Sequence, residues 1–294
     1  MRPSLSLVAA MAFTASLLAT ASRAADRPVN LTRPFGSDGS VSIENVAGSV
    51  RVNGWEKNEI KIVGTLGEGV EDLGFTAAGN KATIEVKLKK GLKNRNGDAD
   101  LQISVPRGVT VSVETVSADI DVAAVERSVD VESVSGTITL TGRARDVKVE
   151  SVSGNVTVKG ALARVDAESV SGAVRLEGIS GEVDAETVSG SIEVSGSEIS
   201  NASCESVSGS ISFTGGLSRE GRYSFDSFSG SVTLQLPDDT DADVSMSTFS
   251  GKVVNELTGT KISGKEASLT LGDGGADLEI NTFSGSALIQ PMAK

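Results

Sequence analysis

Glu132-Ser133-Val134-Ser135-Gly136-Thr137-Ile138-Thr139-Leu140 is the stretch from which the fold of this chain can be read. The same phrase returns as Glu150 to Gly154, Glu168 to Gly172, Glu186 to Gly190 and Glu205 to Gly209. Looser copies follow at Asp226 to Gly230, Ser247 to Gly251 and Asn281 to Gly285, and a degenerate one, Glu114 to Ala118, precedes them. Gly136, Gly154, Gly172 and Gly190 are 18 residues apart, and the later steps are 19, 21, 21 and 34. A fixed period of this length is the mark of a repeat architecture in which each unit buries its apolar face only against its neighbours.

Within one unit, Val129, Val131 and Ser133 share one phase of a strand alternation, and Ile138 and Leu140 share another. The phase changes at Ser133-Val134, with Gly136 expected to permit an unusual backbone there. A second turn, such as Thr141-Gly142-Arg143 or Lys159-Gly160-Ala161, closes the coil. Two short strands and two corners fit the period. The expected architecture is therefore all-β, a parallel β-helix (β-solenoid) with coils of about 18 residues stacked roughly 4.8 Å apart. On this reading Val134, Val152, Val170, Val188 and Val207 form an internal ladder that continues as Phe228, Phe249 and Phe283, the larger rings filling wider late coils. Ser133, Ser151, Ser169, Thr187, Ser206, Ser227, Thr248 and Thr282 form a hydroxyl ladder whose partners are neighbouring hydroxyls or the backbone of the turn.

Composition supports this class. Of 294 residues, aromatics are 3% while glycine numbers 33, too few large side chains for a broad core but ample for a narrow stacked one. Arg2, the apolar run Leu5 to Leu18 and the small residues of Ser22-Arg23-Ala24 form a secretory leader with cleavage expected after Ala24. That places the mature chain in a secreted or periplasmic setting, and no later hydrophobic run is long enough to span a bilayer. No cysteine lies near the cleavage point to carry a lipid. The organisation expected is a leader over 1–24, a polar lead-in over 25–40, irregular β coils over 41–108, regular coils over 109–254, and an insertion with a C-terminal coil or cap over 255–294. Lys81 to Lys89 alternates cleanly as a half-buried strand, and Gly91 to Asp98 is a basic turn.

Function is less legible. The net charge of −12 excludes nucleic acid as the natural partner, because phosphate binding requires a basic surface. Histidine is absent, which removes the commonest general base and zinc ligand. Acidic residues are spread evenly over the repeats rather than gathered into a unique groove cluster, which argues against a carboxylate-based polysaccharide enzyme. Cys204, the only cysteine, falls at an inward position and reads as a small buried residue.

The candidate site is an outward acidic column of Glu114, Glu132, Glu150, Glu168, Glu186, Glu205 and Asp226, one carboxylate per coil, beside a second column of Asp130, Asp166 and Asp184 broken by Lys148. In-register neighbours cost about 0.9 kcal/mol per pair even at the dielectric of water. The ordinary reading is a solvated face that discourages aggregation. The sharper one is a site for divalent cations such as calcium, or for a cationic partner. Asp239, Asp241 and Asp243 are weaker metal candidates, since the glycine and closing glutamate of a calcium loop are missing. No other cofactor is expected. Outward Thr137, Thr139, Thr157, Ser212 and Thr233 offer a hydroxyl face for a glycan, and Trp55 is a candidate sugar platform or capping core residue.

The recurring Val-Ser-Gly, with Asn45-Val-Ala-Gly-Ser-Val-Arg-Val-Asn-Gly-Trp55 ahead of it and a strand ending Val105-Pro-Arg-Gly108, resembles a bacterial adhesin-like family, the domain of unknown function 4097, over about Val41 to Ile289. That family is related to the head domains of autotransporter adhesins. The resemblance implies a right-handed parallel β-helix in the bacterial envelope or exterior, and it brings no catalytic residues. The function expected is a non-catalytic adhesin-like module that holds an envelope polymer, glycan or protein on a flat solenoid face. A scaffold recruiting protein partners and a β-helix polysaccharide enzyme are the alternatives.

Overall fold

A computed structural model describes residues 27–91, 97–258 and 262–292. The expected leader and most of the basic turn before Asp98 lie outside the described residues. Twenty-five strands and no helix occur among the described residues. The order of elements follows from the repeat. In one central coil, strand Ser128–Ser133 buries Val129, Val131 and Ser133, the chain turns a corner, and Ile138–Thr141 buries Ile138 and Leu140. The first strand of each coil pairs in parallel and in register with the first strand of the next, through Asp146–Ser151, Arg164–Ser169, Glu182–Thr187, Asn201–Ser206 and Arg222–Ser227. The second strands do likewise from Ile138–Thr141 to Val232–Leu236. Two parallel ladders thus face each other across one narrow core, and the fold is a β-solenoid.

The 18-residue step sets equivalent residues directly over one another, so the core is built of columns. Val113, Val131, Val149, Ala167, Ala185, Cys204 and Phe225 form one, and Ile120, Ile138, Val156, Val174, Ile192 and Ile211 face it. The 19-residue step is absorbed by a register shift between Gly196 and Glu198 in the strand Ile192–Ile199. The later coils are widened by buried Phe213, Tyr223 and Phe225, whose rings meet edge to face.

At both ends the coils leave chain order. Ser40–Trp55 forms a full coil against Thr110–Ala123, but Lys81–Leu88 and Asp98–Pro106 pair with its other edge, so the later segments lie outside the earlier one. Val70–Ala78, Glu59–Leu66 and Arg27–Pro34 then add in antiparallel fashion, the last of these coming from the lead-in. At the other end, Ala276–Thr282 and Ala287–Pro291 slide between the coil of Arg222–Ser227 and that of Ala242–Thr248. Ile262–Gly264 and Glu266–Leu271, from the expected insertion, close the outer edge in antiparallel fashion. Both ends of the parallel stack are therefore finished by antiparallel strands, which cover the parallel edges and become the outermost strands, each paired on one side among the described residues.

Candidate binding groove

The corner between the two strands carries the functional reading. Val134 and Ser135 both point outward, and Gly136 is the next inward residue. The phase change is thus one residue wider than the alternation implied. The expected internal ladder is an external one: Val134 is 47% exposed, Val152, Val170, Val188 and Val207 match it, and Phe228, Phe283 and Phe249 continue it. The reason lies inside the corner. The Gly136 N–H donates to Ser133 Oγ at 3.1 Å, and the same bond recurs between Gly154 and Ser151, Gly172 and Ser169, Gly190 and Thr187, Gly209 and Ser206, and Gly230 and Ser227. The hydroxyl ladder closes the turn from within and leaves no room there for a valine. The glycine is required by close approach rather than by its dihedral angles: a Cβ on Gly154 would lie 1.9 Å from the carbonyl oxygen of Gly136 in the coil below. Outside the corner, Ser153 Oγ donates to the Val134 carbonyl at 3.0 Å.

The acidic column stands beside this ladder. Register places Glu114, Glu132, Glu150, Glu168, Glu186, Glu205 and Asp226 in one unbroken row. The row is longer than the repeat alone suggested. Glu44 sits next to Glu114, and Glu85 next to Glu44. Glu44-Asn45-Val46-Ala47-Gly48 has the spacing of the repeat, so Glu44 was open to recognition. Glu85 has no glycine phrase after it and joins only through strand pairing. Beyond Asp226 the row ends in a neutral network, where Asn281 Nδ2 donates to Asp226 Oδ1 and Ser247 Oγ to Asn281 Oδ1. Among the described residues, only Glu85 and Glu150 of the row have ion-pair partners, Lys87 and Lys148. Partial burial, then the charges of Glu150 and Glu114, raise the Glu132 pKa, and burial, then Glu205 and Glu168, raise that of Glu186.

Row and ladder form the two walls of one groove of about 1050 Å³ that runs from Glu85 and Val86 to Asn281 and Phe283, floored by the hydroxyl residues. The surface at the acidic column is thus a groove with one acidic and one apolar wall, not the expected flat face. At its far end Phe228, Phe283 and Phe249 stack nearly parallel, with centroids 4.7 and 4.9 Å apart, the spacing of the coils themselves. The order in space is 228, 283, 249 because the last coil is inserted. Lys265 Nζ lies 5.7 Å from the Phe249 ring centre.

The other candidates have local roles. Asp241 Oδ1 accepts from the Asp273 N–H and Asp243 Oδ1 from Thr270 Oγ1, ties that hold the antiparallel cap, while Asp239 is exposed. Among the described residues no group of three or more His, Cys, Asp or Glu side chains is placed to hold a metal ion. Cys204 is fully buried, and burial drives its thiol pKa upward. Trp55 is half-buried, donates from Nε1 to the Glu59 carbonyl at 2.9 Å and has Lys57 over its ring. The hydroxyl face is not continuous: the pairs Arg175–Glu193 and Lys159–Glu177 interrupt its rows. A second hollow of about 940 Å³, beside the strand Glu266–Leu271, mixes Arg222 with Glu182, Asp184, Asp243, Asp277 and Glu279.

Fold and groove together define a β-solenoid that presents a long side-chain groove along one corner of its coils. Residues 39–289 match the model of the Toastrack family, DUF4097, and the chain belongs to that family. Among solved structures, a candidate lipid-binding protein from Parabacteroides distasonis is similar at 14% identity and a TM-score of 0.53, over 90% of this chain and 97% of that one. A candidate adhesin from Parabacteroides merdae is similar at 10% identity and a TM-score of 0.50, over 90% and 96%. At these identities the likeness is one of fold. Comparison with curated protein sequences yields no match. No helix among the described residues is long and apolar enough to cross a membrane.

Proposed function

We propose that this chain is a non-catalytic, adhesin-like binding module of the bacterial envelope, secreted or periplasmic after removal of its leader, and that it holds an elongated partner along the groove. The observation that carries this reading is the exposed Val and Phe ladder that runs from Val116 to Phe228 beside seven of the nine aligned carboxylates, Glu114 to Asp226, with Val46 half-buried and Val86 buried beside the other two. Large apolar side chains scattered singly on a surface mean little, but a contiguous row marks a contact site. The absence of histidine from the sequence and the even distribution of acids along the repeat both speak against catalysis. The groove is extended, so its partner is a polymer or a polypeptide rather than a small metabolite.

The test is co-sedimentation of the purified mature chain with isolated envelope fractions, beside a variant with Gln at Glu132, Glu150, Glu168 and Glu186 and another with Ser at Val134, Val152, Val170 and Val188. Binding by the parent chain that both variants lose is the expected result. Retention by both variants moves the site off the groove. No sedimentation with any fraction contradicts the envelope reading and favours a scaffold for protein partners.

A further inference from the structure

The groove has a length, a charge and a repeat, and together these specify its occupant more closely than an elongated partner. Nine carboxylates spaced at the coil repeat of about 4.8 Å make a row of roughly 38 Å. Only two of them are paired with cations among the described residues. The parallel wall of Val116, Val134, Val152, Val170, Val188 and Val207 is exposed throughout. Both walls are open to solvent over the seven coils from Glu114 and Val116 to Asp226 and Phe228, roughly 29 Å. A ligand that satisfies them needs a cationic flank and an apolar flank, side by side, over that distance.

Backbone chemistry narrows the choice. The strands bordering the groove already spend their backbone groups on the ladders above and below them. The one-sided strands that end the stack, Arg27–Pro34, Val70–Ala78 and Glu266–Leu271, lie at its ends and not along the groove. A partner cannot add here as a strand, so an extended peptide laid in the groove would leave its own N–H and C=O groups to water. An α-helix satisfies those groups internally. Its spacing is the nearer match, though not one-to-one. A stripe of side chains on one helix face recurs about every 5.4 Å against a coil repeat of about 4.8 Å, a difference that long flexible lysine and arginine side chains can bridge, whereas same-face residues of an extended chain recur at about 6.6 Å. Seven turns, about 25 residues, cover the row. Anionic lipids and polyanions would meet like charge along the whole wall, and a second copy of this chain would bring its own acidic row against the first.

We infer that the groove receives a cationic amphipathic α-helix, its apolar stripe on the valine ladder and its lysines or arginines on the carboxylate row. This rests on the groove being the partner-binding site proposed above. The probe is a fluorescently labelled 25-residue Leu/Lys peptide with the lysines on one flank of its helix, compared with a peptide of the same composition in scrambled order. Fluorescence anisotropy should show saturable one-to-one binding that is about tenfold weaker for the scrambled peptide and weakens steeply with added salt. The Gln and Ser variants described above should each lose about tenfold, with melting curves used to confirm that they are folded. In a Val152→Cys variant the new thiol should be shielded from maleimide by the helical peptide, and in a Thr157→Cys variant, on the second ladder, it should not. Equal binding of the scrambled peptide, or equal labelling of the Val152→Cys variant with and without helix, overturns the inference regardless of how the groove variants fold. If the chain sediments with envelopes in a groove-dependent way yet ignores the peptide, the helix is wrong and the groove stands. If sedimentation does not depend on the groove, the underlying reading falls.

Discussion

Val134, Ser133 and Gly136 share one corner and have three separate duties. Ser133 faces in to take the turn's N–H, Gly136 faces in because the coil below leaves no space for a side chain, and Val134 faces out. These duties make distinct predictions for thermal or denaturant unfolding. Gly154→Ala forces a methyl against the Gly136 carbonyl and should cost about 3 kcal/mol, as overpacking at an unyielding site does. Ser151→Ala orphans the buried Gly154 N–H and should cost about 1–3 kcal/mol. Val149→Ala empties part of the core and should cost about 2 kcal/mol, while Val152→Ser, only three positions on, should change stability by about 0.5 kcal/mol or less. If Val152→Ser were as costly as Val149→Ala, the outward assignment of the ladder would be wrong. The sequence reading failed at this point for a physical reason. Alternation fixes the phase of each strand but not the number of residues a corner consumes, and a β-branched apolar residue is ordinarily assigned to the interior.

At the scale of strands and rows, the repeat made the parallel pairing, the hydroxyl ladder and seven of the nine carboxylates legible. In-register stacking is the direct consequence of an 18-residue step. It also makes each acidic row a source of self-repulsion. Glu132 and Glu186 have folded-state pKa values raised above the ordinary glutamate value, by burial first and neighbouring carboxylates second. Just above that ordinary value the folded chain binds more protons than the unfolded one. Stability should therefore rise as the pH falls from neutral through the raised pKa values, the opposite of a carboxylate held in a salt bridge. Melting temperature measured from pH 7 down to about pH 5 should increase, before other carboxylates titrate. A Glu132→Gln, Glu186→Gln double variant should melt higher than the parent at pH 7 and show a flatter pH profile. A parent chain that loses stability steadily over the same interval would contradict the self-repelling row. A helix of opposite charge docked on the row would relieve the same strain, linking the stability of the free module to its affinity for a partner.

For the whole molecule, the regular coils follow chain order and the ends do not. No periodicity announces that Ala276–Thr282 inserts beneath Ala242–Thr248, or that Lys81–Leu88 packs outside Ser40–Trp55, because these placements are decided by long-range pairing among short alternating strands. They matter for solubility. A stack of parallel strands offers an open edge at each end, and here both parallel edges are covered by antiparallel segments, with Pro28 and Pro34 in the outermost strand Arg27–Pro34. Proline at both Ser268 and Leu269 removes whichever N–H faces Ala242–Thr248 and should uncover that edge. Size-exclusion chromatography should then show concentration-dependent association, and a variant that stays at the parent's elution volume at all concentrations would deny the cap this role. The arrangement leaves the corner groove open along the side of the stack for the partner proposed above.

That claim depends above all on the valine ladder facing outward beside the acids, and thiol labelling tests it directly. The parent chain carries one cysteine, Cys204, fully buried. Val152→Cys and Val170→Cys variants should each take up one maleimide within minutes in the native state, while the parent reacts only after denaturation. If both variants resisted labelling until unfolded, the ladder would lie inside the core and the groove would lose its apolar wall.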